Sequence, residues 1–324
     1  MRQLPVFLFL AASALGQDGL RPGQHTVLDA HNCYPYEGRW ANRIDRALAQ
    51  GYPVSIEQDL AWHVDPQTGA GRIAIHHGDK TTGREPGLRT YFFDRVRPIV
   101  EKALRENDRQ NWPIIYLHFD FKSVDPALLD AVWKLLGEYP EWITTAPKLQ
   151  DPHVLAPLEV KPIMVLTEEA DEQEEVFFRR VPVGGKLRLF GSAATVRHQK
   201  NEPLLRPEQI VGVPATNYRR WWNSAWNAVE QGGQREAGEW TAADDRRLRE
   251  LVDYGHKLGY AMRFYTLNGH TAEEGTENGW DANYNFGSAK AVEKRWTAAM
   301  RAGVDFIATD QMEALGEVMK KVKK

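Results

Sequence analysis

Two carboxylates lie two positions apart in a segment that otherwise looks like a buried strand. The segment, residues 53–62, reads PVSIEQDLAW, and the carboxylates are Glu57 and Asp59. Because strand side chains alternate between two faces, both carboxylates point to the same side. Two like charges about 4 Å apart repel by roughly 4 kcal/mol at an effective dielectric of about 20. A cation, a shared proton or a metal ion must therefore offset the repulsion.

Other polar residues lie where further predicted strands end. The first strand ends in DAHN, a hairpin-like excursion reads GRIAIHHGD, and a later strand ends in YLHFDFK. In a barrel of parallel strands, functional side chains collect at the carboxyl ends of the strands. The polar side chains gathered by this rule are His31, Asn32, His76, His77, His118, Asp120, Lys122 and Arg263.

The combined residue types suit cleavage of a phosphodiester. Carboxylate and amide oxygens bind Mg²⁺ or Ca²⁺, so one divalent cation is expected on Glu57, Asp59 and Asp120, with Asn32 as a further ligand. Two imidazoles can divide the proton transfers between the attacking and leaving oxygens. Lys122 can pair with the phosphate or orient the carboxylates. Taken singly, each residue is more often structural, and only the set indicates chemistry.

The elements that must position these residues alternate along the chain. Strands are predicted over 25–31, 53–60, 114–121, 162–167, 187–191, 213–218, 260–267 and 305–310. Helices are predicted between them, beginning after Asp125, Thr241 and Ser288 as N-caps. Eight alternations predict a single, distorted (β/α)8 TIM barrel with a hairpin excursion after the second strand. A doubly wound open sheet is the alternative, but no Gly-x-Gly-x-x-Gly follows the first strand.

The composition is that of an ordinary globular protein. The 324 residues are 42% hydrophobic and 26% charged, and the net charge of −3 gives no basic field for nucleic acid. Residues 1–16 have a positive start, an apolar run and small residues at the end, which predicts a cleaved signal peptide and a secreted or periplasmic protein. Residues 17–324 are then one barrel domain. The single cysteine, Cys33, excludes an intramolecular disulfide and is expected in the core.

The motifs HN, EQD, HHG and DFK, in this order on these strands, resemble the phospholipase C-like phosphodiesterase superfamily. The ending AGVDFIATDQMEAL is similar to the last strand and helix of the glycerophosphodiester phosphodiesterases. The resemblance implies a distorted TIM barrel, a divalent cation and a paired-histidine mechanism. It gives the acid and base roles to His31 and His76, and the metal to Glu57, Asp59 and Asp120. His76 is preferred to His77 because it stands at the strand end.

The subfamily is left open by departures from each pattern. Glycerophosphodiesterases usually have His-Arg at the first motif and Glu-x-Lys on the third strand, where this chain has His31-Asn32 and Asp120-Phe121-Lys122. The HN pair is similar to phosphatidylinositol-specific phospholipase C. Asp-x-Lys and HHG look more like sphingomyelinase D, without that family's cysteines after the HG.

Substrate contacts are predicted at Lys122, Arg263 and Tyr218. Tyr218 opens an aromatic stretch in which Trp222 and Trp226, at helical spacing, are more simply explained as packing onto the barrel. The predicted substrate is a glycerophosphodiester, a lysophospholipid or a phospholipid head group, with transient contact to a membrane surface and no specific protein partner. Ca²⁺ or Mg²⁺, and hydrolysis or a cyclic phosphate product, remain open.

Two other hypotheses compete with the phosphodiesterase. A glycosidase barrel would use Glu57 and Asp120 as its paired carboxylates, about 5 to 9 Å apart, but has no task for two histidines and Lys122. A non-catalytic barrel would use the same carboxylates and Lys122 as a structural ion network. A carboxylate trio within reach of one metal ion favours the phosphodiesterase.

Overall fold

The first and last strands of the chain pair with each other and close a barrel. The computed structural model describes residues 21–36, 38–78, 80–196 and 202–322. The predicted signal peptide at 1–16 lies outside the described residues.

The strands of the main sheet are β1 (Val27–Ala30), β2 (Val54–Val64), β3 (Gly71–Ile75), β4 (Ile115–Phe121), β5 (Ile163–Thr167), β6 (Phe190–Ser192), β7 (Arg219–Ala225), β8 (Ala261–Tyr265) and β9 (Phe306–Thr309). The α-helices are α1 (Arg43–Leu48), α2 (Asp94–Glu106), α3 (Pro126–Gly137), α4 (Asp171–Glu174), α5 (Pro207–Ile210), α6 (Ala242–Lys257), α7 (Ala272–Asn278), α8 (Ala289–Ala302) and α9 (Met312–Val322). A separate two-residue pairing joins Ala146–Pro147 to Lys186–Leu187.

Eight parallel strands form the barrel, in the order β1-β2-β4-β5-β6-β7-β8-β9, and β9 pairs back to β1. The predicted (β/α)8 barrel is therefore confirmed, and the open doubly wound sheet is wrong. β3 runs antiparallel to the far end of β2, as predicted for the hairpin excursion. None of the helices in the described parts of the chain is both long and apolar enough to cross a membrane.

The helix boundaries follow local capping chemistry. Asp125 accepts a hydrogen bond from the Ala127 backbone N–H, with Pro126 at the first helical position of α3. Thr241 and Ser288 cap α6 and α8 in the same way, and α8 ends at Gly303 in the left-handed conformation. These caps lie where the sequence predicts them.

The sixth barrel strand does not lie where it is predicted. The structure places it at Arg219–Ala225, directly after the predicted segment 213–218. The stretch RRWWNSA also alternates between the two barrel faces. Trp221 and Asn223 face the interior, while Trp222 lies buried among the surrounding side chains. The extended appearance of 213–218 comes from a loop that leads into the strand.

The barrel interior is built in layers. At the bottom, the rings of Tyr116 and Trp221 each pack edge-on against Phe306, with centroids 4.9 and 6.4 Å away. Charged side chains lie one pleat repeat above this aromatic floor, since the register sets Glu57 beside His118. The floor makes the barrel a packed core and leaves its polar chemistry at the carboxyl ends of the strands.

Replacing Trp221 by Ala should remove the centre of this floor. Trp221 is fully buried and donates a hydrogen bond to the Thr167 carbonyl over 2.9 Å. We expect the free energy of unfolding to fall by about 3–5 kcal/mol in urea titrations, because a large cavity is left. Val64→Ala, at a half-exposed position of β2, is the control and should cost no more than about 0.5 kcal/mol. Equal effects of the two variants would contradict the layered core.

Candidate active site

Five side chains from five strand ends form a closed polar ring above the aromatic floor. Arg263 on β8 donates to Glu57 on β2 over 2.5 Å and to the side-chain oxygen of Asn223 on β7 over 2.9 Å. Asn223 donates to Glu168, just after β5, over 2.7 Å. His118 on β4 completes the ring, 3.4 Å from Glu168 and 3.4 Å from Glu57. The ring ties the strands together at the level of the site.

Glu57 is the acceptor on which the ring converges. Its Oε2 faces both Arg263 and His118, whereas its Oε1 lies 3.8 Å from Nε2 of His31. Burial alone would raise the pKa of Glu57, but the charges of His31, Arg263 and His118 hold that pKa well below its usual value. Glu57 is therefore an ionised carboxylate with one oxygen directed to the mouth.

His118 is the cation that the ring holds between two carboxylates. Its side chain is almost fully buried, which on its own would lower its pKa, as would the charge of Arg263. The neighbouring carboxylates of Glu168 and Glu57, each at ion-pair distance, outweigh both effects and raise the pKa of His118 to about 9. His118 therefore orients Glu57 as a buried imidazolium at neutral pH.

Asp59 and Asp120 lie one pleat repeat above Glu57 and His118, next to each other in register. Lys122 Nζ is 2.5 Å from Asp120 and 3.0 Å from Asp59. Oxygens of Glu57, Asp59 and Asp120 all lie within 4.8 Å of one another. Burial, together with the neighbouring carboxylates, raises the pKa of both aspartates, although Lys122 opposes that shift.

Asp59 shows why this trio suits a metal ion. Its side chain is fully buried, yet neither oxygen accepts a hydrogen bond, because Lys122 approaches at ion-pair distance without hydrogen-bond geometry. A buried carboxylate without donors is costly unless a cation completes its surroundings. Three hard oxygen donors within reach of one ion are the ligand set that Mg²⁺ or Ca²⁺ takes. The residues present therefore fit a divalent cation.

His31 is held at the mouth by the end of the last barrel strand. Its Nδ1 lies 3.1 Å from Oδ1 of Asp310, the residue after β9, and Asp310 also accepts from Arg43 over 2.7 Å and from Asn268 over 2.6 Å. Burial would lower the pKa of His31, but Asp310 and Glu57 raise it. His31 therefore presents Nε2 to the site while Nδ1 is fixed.

The two adjacent histidines after β3, His76 and His77, have different surroundings. The His77 ring stacks on Tyr34, with centroids 6.1 Å apart, and burial together with the charges of Lys122 and His31 lowers its pKa. His76 follows β3 directly and gives its backbone N–H to the Asp59 carbonyl. The prediction of His76, made because it stands at the strand end, is not tested by these contacts. The catalytic role of either residue stays a prediction.

Asn32 lies beside this group and is constrained by it. Its backbone has a positive φ of 56°, and its side-chain oxygen accepts a hydrogen bond from the Tyr34 hydroxyl over 2.8 Å. The carbonyls of His31 and Asn32 both accept from Arg43. The role of Asn32 as a further metal ligand stays a prediction.

Two predicted substrate contacts are placed away from an open site. Tyr218 precedes β7, so it lies at the opposite end of the strand from the mouth, 2% exposed and stacked on Phe178. The prediction failed because it rested on the misplaced sixth strand. Arg263 is also buried, and its guanidinium is shared among Asp29, Glu57 and Asn223. Its contacts in the structure are to the protein, where it braces Glu57.

The sequence interpretation missed Asp29, Glu168, Asn223 and Asp310. Asp310 ends the segment DFIATD, whose final residue the strand-end rule should have included. Glu168 likewise follows a predicted strand. Asn223 could not be found, because the sixth strand was assigned to the wrong residues. Asp29 faces inward two positions before His31 and pairs with Arg263.

No protein-family model and no curated protein matches the chain in sequence. Similar solved structures include a glycerophosphodiester phosphodiesterase from Parabacteroides distasonis, 9% identical with a TM-score of 0.45, the match covering 92% of this chain and 98% of the other. A glycerophosphoryl diester phosphodiesterase from the same organism is 11% identical with a TM-score of 0.41, covering 94% and 88%. An HPPK-DHPS from Plasmodium falciparum is 7% identical with a TM-score of 0.48, covering 93% and 48%, so this chain spans about half of its length.

Two of these similar structures are therefore described as phosphodiesterases of glycerophosphodiesters. The similarity is too distant at these TM-scores to carry a conclusion about activity. The barrel is established independently by its own strand pairing.

Replacing Asp310 by Asn should make the free energy of unfolding vary less with pH in the acid range. The contacts to His31 and Arg43 lower the pKa of Asp310 although burial opposes this, so its ionised form stabilises the folded state. That stabilisation is present above the unfolded-state pKa of about 3.9 and is lost as the pH falls below it. At pH 7 we expect Asp310→Asn to cost about 3–5 kcal/mol, because Arg43 keeps an unpaired buried charge.

Urea titrations between pH 7 and pH 3 measure this effect. The difference between wild type and variant should shrink below about pH 4, by roughly 1 kcal/mol per pH unit. Glu172→Gln, at an exposed position of α4, is the control and should leave the pH dependence unchanged. A constant difference over the whole range would contradict the assigned ion pair.

Proposed function

We propose that the chain is a metal-dependent phosphoric diester hydrolase of the phospholipase C-like phosphodiesterase type. The observation that supports this most is the trio of Glu57, Asp59 and Asp120, whose oxygens lie within 4.8 Å of one another beside His31. Carboxylates on adjacent strands otherwise repel, and Asp59 has no hydrogen-bond donor of its own.

The metal would be held by Glu57, Asp59 and Asp120, with Asn32 as a further ligand. A divalent cation supplies charge neutralisation at the phosphate oxygens and fixes the orientation of the diester. Its identity, Ca²⁺ or Mg²⁺, is left to experiment because this ligand set serves both.

The proton transfers are assigned to two histidines. Nε2 of His31 is directed to the site while Asp310 holds Nδ1, so His31 can accept or donate a proton at a fixed position. His77 is proposed as the partner that acts on the other oxygen, with His76 as the alternative. Lys122, between Asp59 and Asp120, can bind a phosphate oxygen when substrate enters.

The glycosidase hypothesis receives less support from this arrangement. A glycosidase has no task for His31 or Lys122, which lie 3.8 Å from Glu57 and 3.0 Å from Asp59. The non-catalytic alternative, a structural ion network, is supported by one observation. Lys122 already neutralises part of the charge of the carboxylate trio. Metal binding separates it from the phosphodiesterase.

The remaining parts of the proposal rest on the sequence. Export to the periplasm or medium depends on the predicted signal peptide at 1–16. The proposed substrates are glycerophosphodiesters, lysophospholipids or phospholipid head groups.

Metal binding and turnover test the proposal together. Calorimetry of the full chain with Ca²⁺ and with Mg²⁺ should give one site per chain, and Asp59→Asn should weaken it at least about tenfold, because it removes a ligand charge. Phosphorus NMR with a panel of phosphodiesters should show turnover that chelator stops and that His31→Ala and Glu57→Ala lower by about 10²-fold or more. Glu317→Gln is the control for both. No metal binding and no turnover would support the structural network.

The two adjacent histidines can be separated by substitution. We expect His77→Ala to lower kcat by about 10²-fold or more, while His76→Ala stays within about threefold of wild type. Far-UV circular dichroism and urea midpoints check that both variants fold. A larger loss of kcat in His76→Ala than in His77→Ala would assign the second acid/base role to His76. Small, equal effects would exclude both residues from that role.

A further inference from the structure

One buried tyrosine contacts both a predicted metal ligand and a candidate acid/base histidine. Tyr34 lies in the loop that follows β1 and is 2% exposed. Its hydroxyl donates to Oδ1 of Asn32 over 2.8 Å, and its ring stacks on His77 with centroids 6.1 Å apart and planes 24° apart. The hydroxyl and the ring thus serve two different residues, and substitutions can separate the two contacts.

The segment around Tyr34 is fixed to β2. The Cys33 backbone N–H donates to the Glu57 carbonyl over 3.2 Å, and the side-chain amide of Gln58 donates to the Cys33 carbonyl. Trp40 packs edge-on against the Tyr34 ring, with centroids 5.7 Å apart. The position of the tyrosine is therefore set by the strand that also carries two members of the carboxylate trio.

The Tyr34 hydroxyl is neutral and lies near the trio. Burial raises its pKa, and the charges of Asp59 and Glu57 raise that pKa further, although Arg43 opposes the shift. A neutral hydroxyl has one proton to donate, and Tyr34 gives it to Asn32. Because an amide oxygen has two lone pairs, Oδ1 can accept this hydrogen bond and still bind a cation.

The Tyr34 ring supports a histidine that is otherwise exposed. His77 lies in the turn that follows β3, on the exposed side of the chain. An exposed side chain samples several rotamers, whereas stacking on a buried ring restricts its orientation. Tyr34 therefore limits the directions in which the imidazole of His77 can point.

We propose that Tyr34 is a positioning residue that acts at two points of the site. Its hydroxyl orients Asn32 as a metal ligand, and its ring orients His77 for proton transfer. This inference rests on the proposed function, in which both of these residues have their roles. Tyr34 acts through them and exchanges no proton with the substrate. A structural role alone would lower the stability of the fold without dividing the two effects between hydroxyl and ring.

Metal affinity tests the hydroxyl. In calorimetry of the full chain with Ca²⁺ and with Mg²⁺, Tyr34→Phe should bind about tenfold more weakly, because residues that orient a metal ligand contribute about 10- to 100-fold to affinity. In an Asn32→Ala background the same substitution should change the affinity by less than about twofold, since its effect passes through Asn32. Tyr36→Phe removes a hydroxyl from a neighbouring ring of the same loop and is the control, which should bind like wild type.

NMR and turnover test the ring. In proton NMR of the metal-free chain, the imidazole protons of His77 should keep their chemical shifts in Tyr34→Phe and move in Tyr34→Leu, which lacks an aromatic ring. At saturating metal, Tyr34→Leu should lower kcat at least about tenfold and Tyr34→Phe less than about threefold, because only the leucine variant lets the imidazole move. In a His77→Ala background Tyr34→Leu should lower kcat by less than about twofold. Urea midpoints check folding, and Tyr34→Met replaces Tyr34→Leu if the latter is unfolded.

The outcomes distinguish this inference from the proposed function. Metal-dependent turnover by wild type, together with wild-type metal affinity in Tyr34→Phe or wild-type kcat in Tyr34→Leu, would overturn the positioning role and keep the phosphodiesterase. A full loss of affinity on Tyr34→Phe in the Asn32→Ala background would also overturn it, because Tyr34 would then act by another route. Neither metal binding nor turnover by wild type would overturn both proposals and leave the contacts of Tyr34 as structural ones.

Discussion

The whole arrangement at the barrel mouth depends on one buried guanidinium. Arg263 lies between Asp29 and Glu57, so it neutralises carboxylates that would otherwise repel each other across the interior. Its planar fork also donates to Asn223, which single-point cations such as lysine could not do in the same geometry. Because Arg263 engages Oε2 of Glu57, Oε1 is directed to the barrel mouth. Charge balance inside the barrel thus sets the direction of the residue on which the site is built.

The site divides into two halves with different electrostatic characters. On the β2 and β4 side, burial and the neighbouring carboxylates raise the pKa values of Asp59 and Asp120, although Lys122 opposes the shift. On the β5 to β8 side, Glu168 is satisfied by His118 and Asn223. The first half is poised to take up positive charge, and the second offers hydrogen-bonding groups. A diester that spans the mouth would meet both.

Much of this could be predicted from sequence because strand parity and strand ends carry the information. The alternation of Glu57 and Asp59, and of His118 and Asp120, was sufficient to place four inward side chains correctly. Tyr218 was predicted near the mouth because its segment was taken for the sixth strand. An extended loop and a strand of aromatic residues are alike in composition, and only the burial pattern of the folded barrel distinguishes them. Asn223 and Glu168 become meaningful only when the closed barrel brings distant segments together.

The polar ring and the contact between His31 and Asp310 also determine the stage of folding at which the site can form. Arg263 and Glu57 are 206 positions apart in the chain, and Asp310 and His31 are 279 positions apart. Such contacts form only when the loop between the partners has closed, and so they come late in the folding of a chain with this topology. The amino-terminal half carries the trio and His118, but it lacks Arg263, which pairs with Glu57, and Asp310, which holds His31. The geometry of the candidate site is therefore a property of barrel closure, and a partially folded or truncated chain would hold the carboxylates and histidines without their alignment.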